Sequence, residues 1–432
     1  MPSLPAIHHQ PTPRLPGAIE LAADVFDRTT EHIHAFHRAI AARPFAPLQA
    51  TPALGHAVAP IRVLHDGITD AVYRGVRDGG AIGFGVATGI ARLLARRDGT
   101  APPAAAPHLD TATSALAGLI GDHLAGRRNP LAPRFGLYRN GLCIGRDADS
   151  LRRAYPDAQP RLALFVHGLC CNESSWQLYR DPSRPETRGY GERLQAIGYT
   201  PLYLRYNTGA HISQNAERLA RLMKTLDQHW PVPVEEIVLI GHSMGGLILR
   251  AAAAAGLRRS DAWTRKVHAL FCLGSPHLGA PLEKGVQALT EVLQTFDLSR
   301  PWAGIFEARS VGIRDLRHGA TSSADWRRGV HAPQRLAQLP GVRYHFIGSS
   351  MGRDANDLIG HAVGDGLVRL PSAQARKLAD ADTATLFRRH HMHLLNDPEV
   401  GALIEARLLR TRPQAAASRI GSSKKRSTAS RC

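Results

Sequence analysis

In the second two-thirds of the chain, short apolar runs alternate with longer stretches of helical spacing. "RLALFVHG", "TPLYLRYN", "EEIVLIGHS", "KVHALFCLGSP" and "VRYHFIGSS" read as buried strands, because their β-branched and aromatic residues are continuous rather than alternating. Between them, "HISQNAERLARLMKTLDQHW" places Ile212, Leu219, Leu222 and Leu226 on one face of an amphipathic helix. "FGLYRNGLCIG" has Asn140-Gly141 between two apolar pairs, the signal of a hairpin. Repeated strand-helix alternation predicts an α/β fold built on a doubly wound, mostly parallel sheet, whose sites lie at the strands' carboxyl ends.

The first ~130 residues have a different pattern. Leu21, Val25, Ile33, Phe36 and Ile40 recur at helical spacing over about Ile19 to Ile40. A second helical region runs from Ile61 to Arg97, and a third from Thr111 to Leu124. Ala81, Gly85 and Gly89 lie one turn apart and mark a face for close helix packing. "DGTAPPAAAPH" reads as a Pro/Ala linker, and the last ~20 residues as a disordered basic tail. The expected organisation is a helical accessory segment (1–130), an α/β domain (131–412) and a tail (413–432).

One boundary carries chemistry. In "EEIVLIGHSMGGLILRAAAAAG", Glu235 to Gly256, an apolar strand runs into an alanine-rich helix through Gly-His-Ser-Met-Gly. Glycines at 241 and 245 let strand and helix approach closely, which lifts Ser243 to the apex of the turn: the G-x-S-x-G nucleophile elbow. A serine hydroxyl needs a base to take its proton, and a histidine base needs a carboxylate to orient it.

In the order Ser, acid, His, the acid candidate is Asp365 in the Gly-flanked "GHAVGDGLVRLPSA", with Asp354 and Asp357 as alternatives. The base candidate is His391, ahead of a final helix at 398–409, with His393 and then His390 as alternatives. The oxyanion requires backbone amides fixed in advance, and position selects Met244, after the nucleophile, and Leu169, after the strand ending in His167-Gly168.

The remaining features narrow the picture. Five cysteines (143, 170, 171, 272 and 432) show no metal spacing. The histidines at 32, 34 and 37, and those at 390, 391 and 393, are poorly spaced for a metal. No cofactor or metal is expected. No apolar run approaches the ~18–20 residues of a membrane span, and the start has no leader pattern, so a cytoplasmic protein with reduced thiols is expected. The net charge of +18 favours peripheral association with an anionic membrane; with no DNA- or RNA-binding motif, nucleic acid is not an expected partner.

Taken in order, "FVHGLCCNESSW", "LIGHSMGGL", "LGSPHLGAPLE", "GDGLV" and "HMHLLNDPEV" resemble the lipase-like serine α/β hydrolases over about Arg161 to Leu408. "GSPHLGAP" is similar to the equivalent segment of bacterial triacylglycerol lipases and inositol-deacylase-like enzymes. The resemblance implies an α/β-hydrolase fold and cofactor-free ester hydrolysis through an acyl-enzyme. The triad carries over to Asp365 and His391 beside Ser243, and a lid is implied over Pro281 to Val330. There Val286, Leu289, Val292, Leu293 and Phe296 suit either a surface helix or an apolar wall over an acyl pocket. An acyltransferase or thioesterase would use the same triad, and a non-catalytic membrane-surface or partner-binding protein the same scaffold.

Overall fold

The computed structural model describes residues 14–49, 52–97, 107–181, 183–184, 187–277, 310–318, 336–354, 357, 365, 368, 370–373 and 382–410. Eight strands form one sheet: β1 (Gly136–Arg139), β2 (Leu142–Cys143), β3 (Arg161–Val166), β4 (Thr200–Arg205), β5 (Glu236–His242), β6 (Val267–Leu273), β7 (Arg343–Ser350) and β8 (Asp382–Phe387). Their order is β2-β1-β4-β3-β5-β6-β7-β8, with β1 antiparallel to β2 and β4 and every other pairing parallel.

β5 lies at the centre because both its faces are apolar. Ile237 to Ile240 are all buried, odd and even positions facing opposite layers. On one side they meet α6 (Ile212–His229) and α7 (Met244–Arg258). On the other lie α5 (Tyr190–Ala196) and the last helix, α9 (Pro398–Leu409). Asp397 caps α9, its carboxylate accepting the Glu399 amide at 2.8 Å, with Pro398 at the first helical position.

β8 is absent from the sequence-based expectation. Its residues, "DTATLF", alternate in no apolar pattern, since it is an edge strand in which only Leu386 is fully buried and Asp382 and Thr383 are exposed. Likewise, α4 (Ala148–Ala154) and α5 are too short for a periodicity to declare them.

At the N-terminus, α1 (Arg14–Gln49) and α2 (Pro52–Arg97) run longer than their apolar periodicity suggests and pack on one another. Phe26 of α1 fills the space over Gly80, where a Cβ would lie 2.2 Å from the ring, while the positions beside Gly85 and Gly89 are open. His34 pairs with Asp70 at 2.8 Å and stacks on Tyr73. α3 (Pro107–Gly126) begins inside the stretch expected to be linker, and its Leu119, Ile120 and Leu124 belong to the same apolar core as β3 and β4. α8 (Val311–His318) packs beside it. Most of the expected lid, and the tail, lie outside the described residues. Among the described residues, no helix is long and apolar enough to cross a membrane, and no cluster of metal-ligating side chains occurs.

Candidate active site

The end of β5 leads directly into α7 through Ser243, whose backbone has φ 53° and ψ −122°. A non-glycine residue in that conformation stores strain of about 1–3 kcal/mol, which the surrounding packing must hold. The hold is steric: a Cβ on Gly245 would stand 2.1 Å from the carbonyl oxygen of Val166 and 2.6 Å from that of His167. α7 therefore starts hard against the end of β3. Ser243 is 8% exposed, and among the described residues its Oγ has no hydrogen-bond partner.

Asp365 and His391 come together from two different strand ends. Nδ1 of His391 lies 2.8 Å from Oδ2 of Asp365, and the His391 amide donates to the Asp365 carbonyl at 3.1 Å. The aspartate is buried. Its Oδ1 accepts the Val368 amide at 2.7 Å, and Ser349 Oγ lies 3.4 Å from Oδ2. Since a carboxylate only accepts, Nδ1 of His391 carries the proton and Nε2 keeps the lone pair. The histidine sits on a 3-10 turn, His391–Leu395, only four residues beyond β8.

The alternative residues occupy other places. His390 and His393 stack face to face with centroids 3.5 Å apart beside Tyr179. The His390 Nδ1 accepts the Met392 amide at 3.2 Å. Burial lowers the proton affinity of both. Asp357 accepts the Arg353 amide at 3.0 Å, and Asp354 belongs to that same turn.

Leu169 lies on the loop after β3. There a Cβ on Gly168 would come within 3.0 Å of Ser243 Cβ, so this loop borders the elbow directly. Among the described residues, neither the Leu169 nor the Met244 amide donates a hydrogen bond. His167 is buried, stacks on Tyr206 and has its proton affinity pushed down to about 3 by burial.

Sequence reasoning missed His242. Its Nε2 lies 3.1 Å from the carbonyl oxygen of His391 and its ring 4.7 Å from the His391 ring, with burial holding its pKa down at about 3. Its place in Gly-His-Ser was visible, but the contact joins residues 149 positions apart. Ser349, beside Asp365, gave no sequence signal at all.

Residues 204–336 match the PGAP1-like alpha/beta domain family. No curated protein matches the chain. Among solved structures, a lipase-esterase related protein from Clostridium acetobutylicum is 14% identical with a TM-score of 0.35, covering 57% of this chain and 94% of its own. An esterase from Pyrococcus furiosus is 13% identical, TM-score 0.36, covering 58% and 82%. A bacterial membrane phospholipase A is 14% identical, TM-score 0.36, covering 59% and 80%. The sheet order and the strand-elbow-helix unit give this chain the α/β-hydrolase fold, and its residues 204–336 are similar to the PGAP1-like alpha/beta domain.

Proposed function

We propose that this protein is a serine hydrolase of carboxylic esters with apolar acyl groups, acting through an acyl-enzyme on Ser243. The observation that carries the reading is the buried Asp365–His391 pair, 2.8 Å apart, at the same sheet edge as a strained serine whose Oγ has no partner among the described residues.

In this reading, Ser243 Oγ attacks the ester carbonyl while His391 Nε2 accepts its proton. Asp365 at Nδ1 fixes the tautomer and stabilises the imidazolium that forms. The Leu169 and Met244 amides hold the oxyanion of the tetrahedral intermediate. Collapse expels the alcohol, which takes the proton from His391, and leaves the acyl group on Ser243. Water then attacks with His391 as base, releasing the acid and regenerating the serine. The protein needs no cofactor for these steps. The apolar spacing of Val286, Leu289, Val292, Leu293 and Phe296 in the sequence supports an apolar acyl group.

The test is release of p-nitrophenol from acyl esters of increasing chain length. Turnover that rises with chain length and vanishes in Ser243→Ala supports the reading; a native protein without Ser243-dependent turnover sinks it.

A further inference from the structure

The loop that carries Leu169 is held from outside the sheet. Cys170, the next residue, has φ 61°, a left-handed conformation that a non-glycine residue keeps only when its surroundings impose it. Those surroundings are α3. A Cβ on Gly118 would lie 2.1 Å from Cys170 Sγ and 3.1 Å from its Cα and backbone nitrogen, so the α3 backbone rests directly on the Cys170 peptide. The Cys170 amide donates to Thr208 Oγ1 at 3.3 Å, on the loop after β4. That loop is locked to the same helix: Asn207 Nδ2 donates to the Gly121 carbonyl at 2.7 Å, and a Cβ on Gly209 would stand 2.3 Å from the Ala117 carbonyl oxygen. α3 itself breaks from helical geometry at Ile120, beside this contact.

A buried charge cluster ties the same elements together. Arg205, the last residue of β4, binds Glu173, just past the oxyanion loop, with Nε 2.6 Å from Oε2 and a second contact from Nη2. Its Nη2 also lies 3.4 Å from Oδ2 of Asp110 on the first turn of α3. All three side chains are about nine-tenths buried. Burial opposes the Arg205 charge, but the Glu173 carboxylate outweighs it and raises the guanidinium's proton affinity. Such a cluster is a weak source of stability but fixes one arrangement of the groups it joins.

We propose that α3 is a built-in support for the oxyanion loop and that Gly118 is a positioning residue acting through Cys170 on the Leu169 amide. The inference rests on the hydrolase reading above. It makes the N-terminal segment part of the catalytic apparatus, because an oxyanion donor works only within a few tenths of an ångström of its place, and losing one costs about 10²–10³ in turnover.

The test compares Gly118→Ala and Gly118→Ala/Cys170→Gly with the native protein, using kcat and KM for a p-nitrophenyl ester and affinity for an aryl trifluoromethyl ketone, whose hemiketal oxyanion needs the same amides. Gly118→Ala is expected to lower kcat about tenfold or more and to weaken the ketone in parallel, with KM within about threefold. Cys170→Gly removes the colliding sulfur and relaxes the left-handed backbone, so the double variant regains much of the loss. A folded Gly118→Ala protein with native kcat and native ketone affinity overturns the proposal while leaving the hydrolase reading intact. If Gly118→Ala does not fold, Asp110→Asn carries the test: a several-fold fall in kcat at constant KM supports the proposal and an unchanged kcat overturns it. A native protein that a fluorophosphonate does not label at Ser243 overturns both.

Discussion

Nδ1 of His391 lies 2.8 Å from Oδ2 of Asp365, a contact between the turn after β8 and the loop after β7 that is shielded from water on every side. Asn in place of the aspartate keeps the shape but offers an amide where an acceptor is needed. The imidazole then turns or changes tautomer, and its proton-accepting nitrogen is lost. Asp365→Asn is expected to reduce kcat on the order of 10⁴-fold while KM changes little. Steady-state kinetics on a p-nitrophenyl ester decide the matter; a loss under tenfold would remove Asp365 from the orienting role.

The two histidines flanking His391 set up a contrast. His391→Ala and Ser243→Ala are expected to lose on the order of 10⁴ to 10⁶ in turnover, because each removes a member of a unit that works only as a whole. His393 packs on His390 and Tyr179 instead. His393→Ala is therefore expected to retain turnover within about tenfold of native. If His393→Ala falls as far as His391→Ala, the proton acceptor has been misassigned.

The legible parts of this structure were those written in local apolar patterns. β5, the elbow and α7 were readable because the apolar run from Ile237 to Ile240, the glycines at 241 and 245 and the alanine run at 251–255 follow one another closely in the chain. The order of Ser243, Asp365 and His391 was readable from the sequence, and the structure places the last two in contact. β8 was not, because an edge strand with only one fully buried side chain needs no apolar run. α3 was visible as a helix, but its seat against the loops after β3 and β4 was not. Its fit depends on glycines 118 and 121 meeting residues 170 and 207, and contact over such separations leaves no periodicity behind.

The elbow is also where the fold is least tolerant of volume. The Cβ added by Gly245→Ala meets two backbone carbonyls of β3 and the loop after it, neither of which can swing aside as a side chain would. This overpacking is expected to destabilise the protein by about 3 kcal/mol and to shift the urea midpoint downward with an unchanged slope. An effect within about 0.5 kcal/mol would mean that the start of α7 moves freely relative to β3, and that the strain at Ser243 is held by something else.

Buried neutral histidines give the site an acid-sensitive stability. His167 and His242 have folded-state pKa values lowered to about 3, in both cases chiefly by burial and, for His242, also by the neighbouring His391. In the unfolded chain each returns to about 6.5. Between pH 6.5 and 3 the unfolded state therefore binds protons that the folded state refuses, and stability falls as pH falls. Above about pH 6.5 both states are neutral and neither histidine contributes a slope. Each group is expected to cost about 1.4 kcal/mol per pH unit below 6.5, or roughly 2 kcal/mol at pH 5. His167→Asn keeps a polar group of similar reach without a titrating ring. Urea unfolding at pH 7, 6 and 5 should give this variant a shallower decline than the native protein by close to one proton. Equal slopes in the two proteins would show that the His167 ring takes up its proton in the folded state as readily as in the unfolded one, despite its burial beside Tyr206.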